Sequence, residues 1–209
     1  IQAGHYSDGQ QSICVARSKD LHNWERHLPG PVINVRDTKR FEWSFASNKD
    51  CRDPFIMRYE KGFLLYYTSF DTADPYDRDK GNPVIAAAYS EDLEHWQDMG
   101  SVLNYRVWDK TKSLWSPLES PSVFYHNEQY YLFWNLYEAG NFCVFWTKSP
   151  DPLNFDDKIN LFGDHFVCIR PLSYGKTNSH FTAFTNEYYG VLRIYQLEWQ
   201  DDVPSMYVG

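Results

Sequence analysis

No run of apolar residues reaches the roughly 18 needed to cross a bilayer as a helix, so no membrane partner is expected. Basic residues are outnumbered: Lys and Arg total 20 against 28 Asp and Glu, a formal net charge of -8 over 209 residues. A surface of that sign repels phosphate backbones, and with no local basic patch it argues against nucleic acid as a partner. Cysteine is sparse. Cys14, Cys51, Cys143 and Cys168 are far apart, no CxxC pair occurs, and no Cys/His cluster has zinc spacing, so buried thiols and no metal are expected. A phosphate-cradling glycine loop is missing, as is a Ser-His-Asp order, which leaves no cofactor to expect. No long window carries helical periodicity. What the chain has in excess is aromatic side chains, 8 Trp, 16 Tyr and 14 Phe, or 18%. Such a stock serves a β-rich core or lines a sugar site, and composition leaves both open.

Three segments share one pattern: Ser18-Lys-Asp-Leu-His-Asn-Trp24, Ser90-Glu-Asp-Leu-Glu-His-Trp96 and a weaker Ser149-Pro-Asp-Pro-Leu-Asn-Phe155. Each follows a short strand-like run, at 12–16, 84–89 and 142–147. Ser and Asp side chains bond nearby backbone groups and close a tight turn, and the aromatic residue folds back over the neighbouring strand. Ser18 and Ser90 are 72 residues apart, Ser90 and Ser149 are 59 apart. These periods suit a unit of four strands with its loops, as in a propeller blade.

Between the turns the sequence reads as hairpins. Residues 53–59 and 63–69 flank Lys61-Gly62; residues 121–125 and 129–135 flank His126-Asn127-Glu128. A degraded third copy pairs 179–184 with 188–195. Val, Ile, Tyr, Phe and Trp dominate these runs, as half-buried pleated surfaces favour. Residues 71–80 and 106–112 read as loops. The reading is all-β: a partial blade ending near Arg36, full blades at about 37–105 and 106–160, and a further stretch to Gly209. That is three to four blades where closed propellers have four to eight, so an incomplete ring is expected.

Two acidic motifs occupy matching places. Cys51-Arg52-Asp53-Pro54 stands ahead of the first strand of its blade, and Leu118-Glu119-Ser120-Pro121 holds that position one blade later, with Glu119 66 residues after Asp53. First strands line a propeller's channel, so the two acids are expected to converge on one axial pocket. Paired carboxylates suit sugar chemistry. One stays ionised and steadies a cationic transition state, while the other, raised in pKa by its neighbour and by burial, protonates the leaving oxygen. Arg52 offers a rigid fork of donors to sugar hydroxyls and helps keep Asp53 charged. Pro54 and Pro121 fix how each strand begins. Trp43 and Trp115, in loops before the two motifs, suit stacking on sugar rings and core packing equally; Trp134, inside a strand, reads as core. The acidic loop holding Asp74, Asp77 and Asp79 lacks an EF-hand pattern and reads as solvated.

These motifs carry a family resemblance. The stretch from Gly4-His5 through Ser18-Lys-Asp-Leu-His-Asn-Trp24 to Pro29 resembles the end of the first blade in invertase- and fructanase-type glycoside hydrolases (family 32). Arg52-Asp53-Pro54 resembles their Arg-Asp-Pro motif. Glu119-Ser120-Pro121 resembles their Glu-Cys-Pro motif, with Ser120 in place of cysteine. Families 68 and 43 are related. The resemblance implies a five-bladed β-propeller, with residues 1–209 a single catalytic domain incomplete at the N-terminus and, on the blade count, at the C-terminus. It implies hydrolysis of furanoside-type saccharides: fructosides, arabinosides or xylosides. Asp53 would be the transition-state stabiliser or pKa modulator, Arg52 a hydroxyl binder and Glu119 the general acid/base. It implies a third carboxylate, the nucleophile or base, on an earlier strand that this sequence begins too late to include; Asp8 lies on the wrong side of the match. His180 stands where family-43-like enzymes place a histidine over a central ion, although an ordinary hydrogen-bonded histidine fits the residues better. The alternative function is a noncatalytic carbohydrate-binding propeller. A protein-interaction scaffold fits less well, because it leaves the acid pair without a role.

Overall fold

The computed structural model describes residues 2–5, 11–34, 51–71, 82–104, 117–138, 141–155, 158–164, 166–174, 177–185 and 190–207. The chain divides into two compact units, Ile1–Val107 and Trp108–Gly209. Every regular element among the described residues is a β-strand.

In the first unit β1 (Gln2–His5) pairs with β2 (Gln11–Cys14), and β3 (Ala16–Arg17) pairs with β4 (Glu25–Arg26). A four-stranded antiparallel sheet follows, in the order β5 (Arg52–Tyr59), β6 (Gly62–Asp71), β7 (Asn82–Ser90) and β8 (Gln97–Asn104). β6 reads Gly-Phe-Leu-Leu-Tyr-Tyr-Thr-Ser-Phe-Asp and is buried on both faces, as a central strand between two layers must be. Ile13, Val15, Val32 and Ile33 pack with Leu65, Tyr67, Ala86, Ala88 and Trp96 in one core.

The Ser-x-Asp repeat forms the link from third to fourth strand, and its two strong copies are superimposable bond for bond. Ser18 Oγ accepts the Leu21 N–H at 2.8 Å, and Asp20 Oδ1 accepts the His22 and Asn23 N–H groups at 2.9 and 2.8 Å. Ser90 Oγ likewise accepts the Leu93 N–H at 2.8 Å, and Asp92 Oδ1 accepts those of Glu94 and His95, both at 2.8 Å. The turn bends through a leucine in the left-handed region, Leu21 at φ 62 and Leu93 at φ 67. The indole N–H then donates to that leucine's carbonyl, at 3.1 Å for Trp24 and 3.2 Å for Trp96. The third copy has Pro152 at the leucine position. Its ring locks φ negative and removes the N–H that would reach Ser149, while the Asp151 N–H still donates to Ser149 Oγ and the Leu153 N–H to Asp151 Oδ1, at 3.0 and 2.9 Å. Trp96 and Phe155 are buried, whereas Trp24 is 56% exposed beside the short pair β3 and β4.

These turns make acid stability testable. Backbone N–H donors, with the side chains of Asn23 and His95, hold the Asp20 and Asp92 carboxyls well below the usual carboxylate range. A carboxyl whose folded pKa is depressed stabilises the fold above its ordinary value and loses that contribution as pH falls toward the folded value. The melting temperature is therefore expected to fall between about pH 4 and pH 2. The double variant Asp20→Asn, Asp92→Asn should show a shallower decline. An unchanged slope would remove these carboxylates from the cause.

In the second unit β9 (Glu119–His126), β10 (Gln129–Glu138), β11 (Asn141–Ser149) and β12 (Asn160–Gly163) form one four-stranded sheet. β13 (Phe166–Tyr174), β14 (Thr177–Thr185), β15 (Leu192–Gln200) and β16 (Val203–Tyr207) form another. The hairpin read at 179–195 is real but one strand out of phase: it joins β14 to β15, the second and third strands of its sheet. The first strand is β13, where Arg170 and Pro171 interrupt the apolar run that would have marked it.

An aromatic layer holds these two sheets together. Phe162 packs edge-on against Phe133, Phe166 and Phe181, with centroids 5.1, 5.6 and 5.8 Å away. Each fully buried ring contributes about 1.5–3 kcal/mol, so much of the aromatic excess serves packing. Trp134 is core, as expected, at 1% exposure. The tips of two hairpins also touch. Asn127-Glu128 and Asp201-Asp202 are two-residue turns with both residues at positive φ, and Asn127 Nδ2 donates to Asp202 Oδ1 at 2.8 Å. His126 stacks on Trp199 at 4.0 Å, and the Tyr131 hydroxyl donates to the Asp202 carbonyl at 3.0 Å. Burial pushes that hydroxyl up to about 12.

Candidate active site

The first strand of each four-stranded sheet begins with the same irregularity. In β5, Arg52 pairs with Thr68 and Phe55 with Tyr66, so Asp53 and Pro54 together stand opposite Tyr67. In β9, Glu119 pairs with Asn135 and Ser122 with Phe133, which sets Ser120 and Pro121 opposite Trp134. In β13, Val167 pairs with Phe184 and Arg170 with Thr182, which sets Cys168 and Ile169 opposite Ala183. Each is a bulge, two residues against one, and its first residue is left-handed: Asp53 at φ 56, Ser120 at φ 53 and Cys168 at φ 57.

Left-handed backbone at a non-glycine residue costs about 1–3 kcal/mol and persists where its surroundings over-determine it. Such bulges re-aim side chains. This register corrects the frame read from the sequence. Asp53 matches Ser120 and Cys168, while Glu119 matches Arg52, one residue earlier. Pro54 and Pro121, 67 residues apart, were the signal that gives the true alignment.

The structure brings Arg52 and Asp53 together in the first unit. Arg52 Nε lies 3.9 Å from Asp53 Oδ2, with side chains 17% and 28% exposed. Gln11, at the start of β2, anchors this corner: its Oε1 accepts from Arg52 Nη1 at 3.1 Å and from the Cys51 N–H at 3.3 Å. Glu119 stands half-buried in the second unit. Beside it Ser120 Oγ meets Cys168 Sγ at 3.2 Å, and the Cys168 N–H donates to Asn135 Oδ1 at 2.8 Å. Arg170 Nη1 donates to the carbonyls of Ser120, Pro121 and Ile169, at 3.0, 3.1 and 3.0 Å. Gln11, Asn135 and Arg170 were not singled out from the sequence. They act through side-chain bonds to distant backbone, which no local pattern announces.

Trp43, Trp115, Asp8 and the acidic loop with Asp74, Asp77 and Asp79 lie outside the described residues. His180, on β14, bonds Ser179 Oγ through Nδ1 at 2.9 Å. All four cysteines are thiols, with Cys14 and Cys51 buried. Among the described residues no group of three or more His, Cys, Asp or Glu side chains could hold a metal ion, and no helix is long and apolar enough to cross a membrane.

Four-stranded antiparallel sheets, each opening on a bulged first strand, fit the blades of a β-propeller. The family model "Glycosyl hydrolases family 43" matches residues 46–171, more than half of the chain, and the chain belongs to that family.

Solved structures give the same fold. A thermostable family-43 glycoside hydrolase is 13% identical, with a TM-score of 0.71 over 99% of this chain and 70% of its own. A GH32 beta-fructofuranosidase from Bombyx mori is 14% identical, with a TM-score of 0.74 over 99% of this chain and 47% of its own. Sucrose-6-phosphate hydrolase from Lactobacillus gasseri is 12% identical, with a TM-score of 0.70 over 98% of this chain and 45% of its own. At such identities the likeness shows the fold, a partial five-bladed β-propeller as expected from the repeats. This chain spans more than two thirds of the first of these and about half of the other two. No curated protein matches it.

Proposed function

We propose that the protein is a glycosidase that cleaves O-glycosidic bonds of furanoside-type oligo- or polysaccharides, with residues 1–209 forming part of one propeller catalytic domain. Glu119 is the general acid/base, giving its proton to the leaving glycosidic oxygen. Asp53 stays ionised and steadies the positive charge that develops on the sugar ring. Arg52 binds ring hydroxyls, and Trp43 and Trp115 stack on sugar faces. No residue of this chain is assigned as nucleophile or base.

The observation that carries the reading is the repeated bulge, which sets an acidic motif at the start of the first strand in two successive sheets of a family 43 chain. The fold neighbours lend the substrate class: one is a beta-fructofuranosidase, also solved in complex with sucrose.

The test is a panel assay on the whole protein with sucrose, arabinofuranosides, arabino-oligosaccharides and xylosides, read as reducing sugar released. Turnover of at least one furanoside is expected. Saturable binding by calorimetry with no sugar released from any member would turn the protein into a carbohydrate-binding propeller.

A further inference from the structure

The bulge that follows Glu119 is gripped from the next sheet. β9 and β13 belong to different sheets, so no strand ladder joins them. The displaced carbonyls of Ser120 and Pro121 instead receive one guanidinium nitrogen of Arg170, which also holds Ile169 O inside its own bulge. Ser120, at φ 53, is fixed by its side chain as well, against Cys168 Sγ at 3.2 Å. Both grips come from β13, one from its matching bulge and one from the residue after it, 48 to 50 residues away in sequence. A charged donor shared among carbonyls is stronger and more directional than a neutral one, and a planar guanidinium is poorly mimicked by an ammonium.

We infer that Arg170 is a positioning residue for Glu119: by pinning the Ser120-Pro121 backbone it sets where the acid's proton is delivered. The inference rests on the reading of Glu119 as the general acid. Its chemistry is proton transfer. The Glu119 carboxyl O–H passes its proton to the glycosidic oxygen as the carbon–oxygen bond breaks; the bonding pair stays with that oxygen, which departs as a neutral alcohol, and water, the co-substrate of hydrolysis, supplies the oxygen that bonds the sugar carbon and returns a proton. A dinitrophenyl leaving group departs as a stable anion and needs no such proton. Misplacing the acid therefore slows natural and alkyl glycosides while sparing dinitrophenyl glycosides. A general loss of folded protein slows both alike.

The experiment compares kcat/KM of the whole protein on a methyl or oligosaccharide furanoside and on the corresponding 2,4-dinitrophenyl furanoside, for the parent, Arg170→Met, Arg170→Lys and Glu119→Gln. Arg170→Met is expected to lose about 100-fold on the first substrate, as a displacement of order 1 Å at a reacting group does, and only a few-fold on the second. Arg170→Lys should recover part of the difference by reaching one carbonyl. If Arg170→Met does not fold, Arg170→Lys must still show the same split at smaller amplitude. Equal losses on both substrates, or none on either, in a protein whose Glu119→Gln variant does discriminate by leaving group, overturn the role of Arg170 alone. A Glu119→Gln variant that treats both leaving groups alike overturns the acid assignment and this inference with it.

Discussion

Glu119→Gln is expected to lower kcat on glycosides with sugar or alkyl leaving groups by about 10²–10⁴-fold, the contribution of a positioned proton donor. Glutamine keeps the shape and the capacity to hydrogen-bond, but it has no acidic proton to give. Saccharide binding should stay close to the parent's, so the loss falls on kcat and marks an interaction made only in the transition state. Glu119 sits at the last regular pair before the bulge, opposite Asn135, so an isosteric amide leaves the Ser120-Pro121 backbone undisturbed. Steady-state kinetics with calorimetric binding decide the matter. A Glu119→Gln variant that hydrolyses furanosides at the parent rate ends the assignment.

The largest expected stability effect belongs to Gly62→Ala. Gly62 opens β6 and pairs with Tyr59 across the hairpin turn. A Cβ there collides with the backbone oxygen of Ser90, and comes within 2.9 Å of the Tyr89 hydroxyl and 3.0 Å of Glu91 Cα. Ser90 is held in the β6–β7 ladder opposite Phe63, and its side chain closes the Ser-x-Asp turn, which resists a shift of its backbone. Overpacking against backbone of this kind costs about 3 kcal/mol. That corresponds to a fall of roughly 6–12 °C in melting temperature for a chain of this size. Gly30 is the control: a Cβ there meets nothing within 4 Å, and Gly30→Ala should stay within about 0.5 kcal/mol of the parent. Equal melting temperatures for the two variants would mean that the hairpin moves aside for the methyl group.

What could be read from the sequence was what short-range physics decides. Ser90 and Asp92 close their turn with bonds to residues no more than three positions away, so the pattern of letters and the structure carry the same information. The hairpins around Lys61-Gly62 and His126 to Glu128 are equally local. The frame of the acidic motifs was not, because the acid occupies the bulge in β5 and the pair before it in β9, so counting from Asp53 to Glu119 missed the match by one. Pairing at β14 was placed one strand early because Arg170 and Pro171 disguise β13, and the reason Arg170 is there lies 50 residues away in Ser120. Trp24 shows the same limit: the turn is drawn correctly, but whether the indole is buried depends on packing that the local pattern does not set.

Since Asp53, Ser120 and Cys168 share a left-handed φ at the same place in their bulges, three sheets present different functional groups on one kind of kink. A carboxylate, a hydroxyl and a thiol occupy these positions without altering the kink that presents them. The scaffold separates the problem of holding a group from the choice of which group to hold.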